Sequence, residues 1–304
     1  MIRKNINYSA LLVGIGLLLY FLIGCMSKTD KNDTKTSSEK NAVVVDETRL
    51  SVGKDTNNES SLYDCERGAL MSEKEAEKRK SEAWINENVT KDFLLGNVTR
   101  KDNQLFVQVS IEHTERNIYL IPPVYDAYKK MYEAALADSI KLIIISGHRT
   151  FIEQVYEWQL RWNDPRTDIE FTDDVEKAKF VLQYRSMPGT TRHHWGTDID
   201  LNSFELAYYQ TSEGVNVYNW LNKNAAAFGF FQPYTAIDEK RPNGYKEEKW
   251  HWSYKPLSRL MLVKYLELTT IDDITGFEGD TAAKILPIVS KWVCGINPLI
   301  NEED

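Results

Sequence analysis

Apolar and polar positions change along this chain in segments short enough to read as separate elements. Ala10 to Gly24 is an uncharged, mostly apolar run. From Met26 to about Ser61 the chain is Lys, Asp, Asn, Thr, Ser and Glu, a composition that buries too little apolar surface to order itself. Ser72 to about Asn86 is rich in Glu, Lys and Ala and predicts a helix. Leu105 to Ile111 is rich in β-branched residues and predicts a strand. Pro122-Pro123 opens a helix running through Ala137, with Val124, Tyr128, Met131 and Ala135 recurring at helical spacing as its core face. Lys141 to Ile145 predicts a buried strand that delivers Ser146-Gly147-His148-Arg149-Thr150 into a turn. Helices follow near Phe151 to Trp162 and from about Val175 to Arg185, and Met187-Pro188-Gly189 breaks the second. Val217 to Phe228 predicts another helix, stopped by Gly229. Phe230 to Gln232 and Glu248 to Ser253 predict strands, and no internal repeat is visible.

These elements imply an α+β fold, a small mostly antiparallel sheet surrounded by helices. The chain has 304 residues, enough for one sizeable core or at most two. Its net charge of -8 argues against a nucleic-acid partner, because phosphate binding needs clustered Lys and Arg. Eight Trp and sixteen Tyr suit a wet binding groove, although core packing accounts for most such rings.

The N-terminus changes the picture of where the chain works. Arg3 and Lys4 precede the apolar run, which ends in Leu22-Ile23-Gly24-Cys25. This resembles a bacterial lipoprotein signal, with residues 1–25 as signal peptide, a lipid on Cys25, and residues 26–62 as a flexible polar tether. The expected product is exported and membrane-anchored through its lipid, facing the periplasm or cell envelope. Cys65 and Cys294 then remain, and in an oxidising compartment the two could pair, closing a long loop.

Two clusters carry the candidate chemistry. The first is Thr191-Arg192-His193-His194-Trp195-Gly196-Thr197-Asp198-Ile199-Asp200, and the second is Glu248-Lys249-Trp250-His251-Trp252. Of five histidines in the chain, three lie in these clusters. Histidines and carboxylates in this density suit zinc, whose catalytic sites take three protein ligands and leave a position for water. After Gly196 the residues alternate, so Asp198 and Asp200 share one strand face, and Gly196 allows His193 to turn back towards it. His194 diverges from His193 on an extended chain and is a groove or supporting residue; His113 reads as a surface residue. Trp250 and Trp252 fall on the face opposite His251. Glu248 lies three residues before His251, so for both to serve one ion the chain must turn or bulge between Glu248 and Trp250.

Thr191-x-His193-x-x-Gly196-x-Asp198-x-Asp200 resembles the Ser-x-His-x-x-Gly-x-Ala-x-Asp motif of the D-alanyl-D-alanine carboxypeptidase (VanY-like) family of zinc metallopeptidases. Glu248-x-Trp250-His251-Trp252 resembles that family's Glu-x-x-His motif, and Ser146-Gly147-His148-Arg149-Thr150 with Gln154 resembles its Ser-Gly-Tyr-Arg-Ser...Gln segment. The resemblance implies a hedgehog/DD-peptidase-like fold with a catalytic domain over residues 117–272. Residues 63–116 flank it and residues 273–304 form a tail packed on it. It further implies one zinc ion on His193, Asp200 and His251, Glu248 as general base, and Arg149 stabilising the oxyanion or holding a substrate carboxylate. Ser146, His148, Gln154, Thr191 and Trp250 are the expected substrate contacts, His194 is a supporting residue, and Asp198 either hydrogen-bonds the second nitrogen of a ligand histidine or faces water. His148 and Asp198 depart from the motif, standing where Tyr and a small residue are usual. The implied activity is trimming of peptidoglycan stem peptides by a monomer. An L,D-carboxypeptidase, a wall endopeptidase and a non-catalytic zinc-stabilised wall-binding module are the alternatives.

Overall fold

The computed structural model describes residues 72, 75–100, 104–165, 170–171 and 173–302. All lie in the compact unit Thr56–Asp304. The apolar run, Cys25, the polar tether and Cys65 fall outside the described residues.

Four antiparallel strands carry the centre of the fold: β3 (Ile144–Ser146), β4 (Asp198–Leu201), β5 (Phe230–Phe231) and β6 (His251–Tyr254), in the spatial order β3-β4-β6-β5. A separate pair, β1 (Val107–Gln108) and β2 (Tyr119–Leu120), is also antiparallel. The helices are α1 (75–88), α2 (Lys91–Leu94), α3 (Pro122–Ala137), α4 (Phe151–Trp162), α5 (Asp174–Val181), α6 (Ser212–Asn224) and α7 (Lys255–Leu268).

The helices with the plainest periodicity are those the pattern predicts. The helix α3 spans Pro122–Ala137 and buries Val124, Tyr128, Met131 and Ala135. The helix α4 spans Phe151–Trp162 because Thr150 and Glu153 close a capping box at its start. The helix α6 begins earlier than its apolar stripe, at Ser212, because the Thr211 hydroxyl caps it by accepting from the Gly214 N–H at 3.1 Å. It tightens to a 3-10 turn over Ala225–Phe228 and stops at Gly229, whose φ of 81° is left-handed. The helix α5 ends at Val181, short of Arg185.

The strands are shorter than their β-branched runs. Leu105 to Ile111 contributes only Val107–Gln108, since only Tyr119–Leu120 is there to pair with it. Lys141 to Ile145 is shifted forward to Ile144–Ser146. The strand expected from Glu248 begins at His251 instead, because Lys249 and Trp250 form a turn in which the His251 N–H donates to Glu248 O at 3.2 Å. Trp250 therefore lies off the strand, while Trp252 is buried in it.

One hydrophobic cluster runs from Ile85 to Ile300. It includes Phe93 and Leu94 before the expected catalytic domain and Ile274, Phe277, Ala282 and Ile288 after it. The β1–β2 ladder, with Val107 opposite Leu120, crosses residue 117 itself. His113, read from sequence as a surface residue, is buried; its Nδ1 lies 2.7 Å from the Tyr125 hydroxyl and its ring abuts Tyr128 and Tyr132. A polar segment concealed it, since only the tertiary fold brings the α3 tyrosines over it.

Because the flanks share the core, we expect Phe93→Ala to cost about 3 to 5 kcal/mol in a single cooperative transition. Urea unfolding followed by tryptophan fluorescence measures it. An unchanged midpoint would make the flank an appendage.

Candidate metal centre

His193 is aimed by a short turn. Thr191 caps a 3-10 helix over Arg192–Trp195, its hydroxyl accepting from the His193 N–H at 3.3 Å. Gly196 ends that turn at φ 68°, and a Cβ there would press on Ile121 and Phe106 at 3.2 Å. The chain reverses and His193 faces the sheet. Its Nδ1 lies 2.8 Å from Gly147 O. A carbonyl can only accept, so Nδ1 carries the hydrogen and Nε2 keeps its lone pair. That Nε2 is 3.2 Å from Asp200 Oδ2.

Strand pairing supplies the other two donors. Asp200 sits opposite His251 in the β4–β6 register, one step beyond Ile199 opposite Trp252. His251 Nε2 lies 3.1 Å from Asp198 Oδ1. Its Nδ1 lies 2.9 Å from Glu248 Oε2 and 3.7 Å from Asp200 Oδ1. With Asp198 accepting from Nε2, Nδ1 is the nitrogen turned towards Asp200 and His193. One ligand atom from each of His193, Asp200 and His251 lies within 4.8 Å of the others, and all three residues are buried. Asp200 Oδ1 is a buried carboxylate oxygen without a hydrogen-bond partner. An orphaned carboxylate oxygen, the His193 Nε2 lone pair and His251 Nδ1 turned towards the same carboxylate make a donor set that fits a divalent cation of the zinc type, which would displace the proton from Nδ1.

The electrostatics follow from close opposite charges. Burial by itself would lower the His251 pKa, but the carboxylates of Asp198, Glu248 and Asp200 outweigh it and hold the imidazole up at about 10. Burial would raise Asp198, yet Arg192 and His251 keep it well below the usual carboxylate range. Asp200 is likewise lowered against the pull of burial, by His193, His251 and Arg149.

Around this centre the other expected site residues take different work. Arg149 Nη1 donates to Gln154 Oε1 at 2.6 Å and Nη2 to Ser146 Oγ at 3.2 Å. Gln154 is fully buried, and its amide donates to Ser186 O at 2.7 Å, so it is committed to holding Arg149 and does not line a groove. Ser146 shares that task from the end of β3. Thr191 is buried as a helix cap. His148 lies against Phe106 with ring centroids 4.1 Å apart, and neither ring nitrogen has a hydrogen-bond partner. Burial, foremost, keeps it neutral, its pKa well below the ordinary histidine value. Trp250 is half-buried in the turn, edge-on to Phe204.

His194 is buried and is no groove residue. Its Nδ1 donates to Arg149 O at 2.7 Å and its Nε2 accepts from the Gly189 N–H at 3.0 Å. Burial drives its pKa down to about 3, which suits a neutral ring with one donor and one acceptor. Asp198 does not face water: it is buried, with Oδ1 3.1 Å from His251 Nε2. Cys294 is half-buried, and its expected partner Cys65 lies outside the described residues.

Three participants escaped the sequence reading. Arg192 is wholly buried and donates to Asp198 Oδ1 at 3.0 Å and Ser253 Oγ at 2.7 Å. Gln232 fixes the approach to Glu248, donating to Glu248 O at 3.0 Å and Tyr234 O at 2.9 Å. Arg241 clamps the same loop through the carbonyls of Thr235, Asn243 and Tyr245. Only Arg192, inside the first motif, carried a signal that could have found it: a cation six residues before a motif aspartate.

A small antiparallel sheet that gathers two imidazoles and a carboxylate beside a part-exposed glutamate defines a single-ion metallohydrolase domain. Residues 117–257 match the family model VanY, D-alanyl-D-alanine carboxypeptidase. A D-alanyl-D-alanine carboxypeptidase of Enterococcus faecalis (strain ATCC 700802 / V583) is 30% identical over 131 residues, which cover 41% of this chain and 44% of that protein. The match thus spans less than half of that relative. YodJ of Bacillus subtilis (strain 168) is 26% identical over 282 residues, covering 88% of this chain and 96% of that protein. Among solved structures, a mutant of the vancomycin resistance D,D-pentapeptidase VanY in complex with Zn(II) aligns at 22% identity and TM-score 0.41, over 61% of this chain and 92% of that one. The LD-carboxypeptidase LdcB aligns at 19% identity and TM-score 0.40, over 58% and 81%.

If His194 acts as a buried strut, His194→Ala leaves the Gly189 N–H and Arg149 O unpaired and lowers stability by about 2 kcal/mol or more. Thermal unfolding measures that loss, while metal analysis should still find the wild-type metal content. Loss of metal at undiminished stability would instead make His194 a ligand.

Proposed function

We propose that this chain is a zinc-dependent D-alanyl-D-alanine carboxypeptidase that trims peptidoglycan stem peptides. The observation that carries the reading is the part-exposed carboxylate of Glu248 at the edge of the three-donor centre, 2.9 Å from His251 Nδ1. A module that only bound the wall would need the ligands but not this base. The VanY family match and the Enterococcus faecalis relative support the substrate class.

His193 Nε2, Asp200 and His251 Nδ1 would hold one zinc ion, which when bound acidifies water and polarises a carbonyl oxygen. Glu248 keeps 23% of its side-chain surface exposed, so a substrate and a water can reach it. It takes the proton of the attacking water and passes it to the leaving amine as the peptide bond breaks. Arg149 is half-buried with its guanidinium fixed by Gln154 and Ser146. That rigid fork suits the C-terminal carboxylate of a stem peptide, which favours removal of a terminal residue over cutting within a cross-link.

The N-terminal sequence supports a lipoprotein tethered through Cys25 with residues 26–62 as spacer, acting at the cell envelope. No helix among the described residues is long and apolar enough to cross a membrane. Cys25→Ala should move the protein from the membrane fraction to the soluble one, and unchanged fractionation would remove the anchor.

With a synthetic pentapeptide ending in D-Ala-D-Ala, mass spectrometry should show loss of one alanine, abolished by a chelator and restored by zinc. Glu248→Gln should retain zinc while turnover falls roughly 100- to 10,000-fold, and His251→Ala should lose both. Full turnover in Glu248→Gln, or cleavage that ignores the chelator, would sink the mechanism.

A further inference from the structure

The metal reading above leaves a buried charge pair without a task. Arg192 and Asp198 both have fully buried side chains and meet at 3.0 Å, Nε to Oδ1. The pair lies beside the centre. Asp198 Oδ1 also receives His251 Nε2 at 3.1 Å, and Asp198 Oδ2 accepts from the Thr197 hydroxyl at 2.6 Å. Arg192 Nη2 reaches across to Ser253 Oγ at 2.7 Å, and Ser253 is the β6 residue opposite Asp198. The guanidinium carbon lies 4.8 Å from the centroid of the Trp195 ring, which closes one side.

Stability alone is a poor reason for such a pair. Removing two charges from water costs about as much as their attraction returns, so an apolar pair of similar volume serves a core as well. Asp198 also stands where the motif quoted above has alanine, so a site of this type can be built without it. The pair therefore needs a use that a hydrophobic filling cannot supply. His251 provides one. A metal takes the neutral imidazole, whose single hydrogen can sit on either nitrogen, and only the Nε2–H form leaves the Nδ1 lone pair facing Asp200 and His193. Asp198 selects that form by accepting from Nε2. An aspartate held by one bond could rotate away; Arg192 and Thr197 take up its remaining directions and fix the acceptor oxygen under the ring.

We propose that Arg192 and Asp198 form a buried strut that sets the ring orientation and the ligating nitrogen of His251, with Arg192 a positioning residue acting through Asp198. The inference rests on the reading of His193, Asp200 and His251 as a zinc centre and adds two residues that never touch the ion.

The test separates positioning from folding in the full-length, detergent-solubilised protein. Zinc affinity is read by competition with a chromophoric chelator, ring placement by the visible spectrum of the cobalt-substituted protein, and folding by thermal unfolding without metal. Asp198→Ala should weaken zinc binding roughly 10- to 100-fold, the range for losing a partner that orients a metal-bound histidine, and should also lower the melting temperature by stranding Arg192. The double variant Arg192→Met/Asp198→Ala removes the stranded charge, so its melting temperature should recover while its zinc affinity stays low and its cobalt spectrum stays altered. Asp198→Asn keeps an acceptor for Nε2–H and should recover part of the affinity. It gives the same comparison if the alanine variants do not fold. A double variant that binds zinc within about threefold of the wild type, with an unaltered cobalt spectrum, overturns the strut and leaves the metal reading standing. Wild-type protein that binds no zinc, with His193→Ala behaving identically, overturns both.

Discussion

The antiparallel pairing of β4 with β6 is the constraint on which the rest of this molecule turns. It sets Asp200 opposite His251 and Asp198 opposite Ser253. Directly opposed residues on neighbouring strands have Cβ atoms about 4.5 to 5.5 Å apart, close enough for two side chains to reach one ion. The strands are only four residues each, but all four positions of β4 and the first three of β6 are buried. A slip of one residue would exchange Asp200 for Ile199 across from His251 and send the carboxylates into the apolar core. The register is therefore held from both sides, by Ile199, Leu201 and Trp252 in the core and by the carboxylate–imidazole contacts at the site.

That pairing concentrates charge where water is scarce. Asp198, Asp200, His193, His251, Arg149 and Arg192 lie within one neighbourhood, most of them buried. The arrangement is tolerable because each charge has an opposite one beside it: Arg192 faces Asp198, and His251 lies between Asp198, Glu248 and Asp200. Two buried atoms of these residues nevertheless lack a hydrogen bond, Arg192 Nη1 and the carboxylate oxygen Asp200 Oδ1. Unpaired buried acceptors are costly, and a carboxylate oxygen left so beside two imidazoles suits a place on a metal ion.

Arg149 and Glu248 stand on irregular backbone, and the surroundings make that backbone rigid. Arg149 is pinned at its guanidinium by Gln154 and Ser146, at its N–H by His193 O, and at its carbonyl by His194. The loop that brings in Glu248 is stapled by Gln232 and Arg241. Gly244 lies so close to Gly295 that a Cβ would sit 1.9 Å from its carbonyl oxygen, which ties the loop to the C-terminal segment. Residues before 117 and after 272 thus serve the site indirectly, by completing the core beneath it.

Local sequence determined much of this. Helical spacing and the Thr150 capping box specify α3 and α4 to the residue, because both depend only on near neighbours. The alternation after Gly196 places Asp198 and Asp200 on one face. The odd spacing of Glu248 and His251 requires a turn, and the turn is there at Lys249 and Trp250. What the sequence could not determine is which polar groups meet across distance. Gln154, Thr191 and His148 read as substrate contacts from their place in motifs, yet one holds an arginine, one caps a helix and one is buried on Phe106. His113 looked exposed until three tyrosines of α3 closed over it. Arg192 directly precedes His193 in sequence, but its bond to Ser253 spans sixty-one positions and exists only once β4 and β6 have paired. Periodicity and capping are encoded within a turn or two of chain; hydrogen-bond partners in a buried polar centre are chosen by the packing of distant segments, and only the tertiary structure decides them.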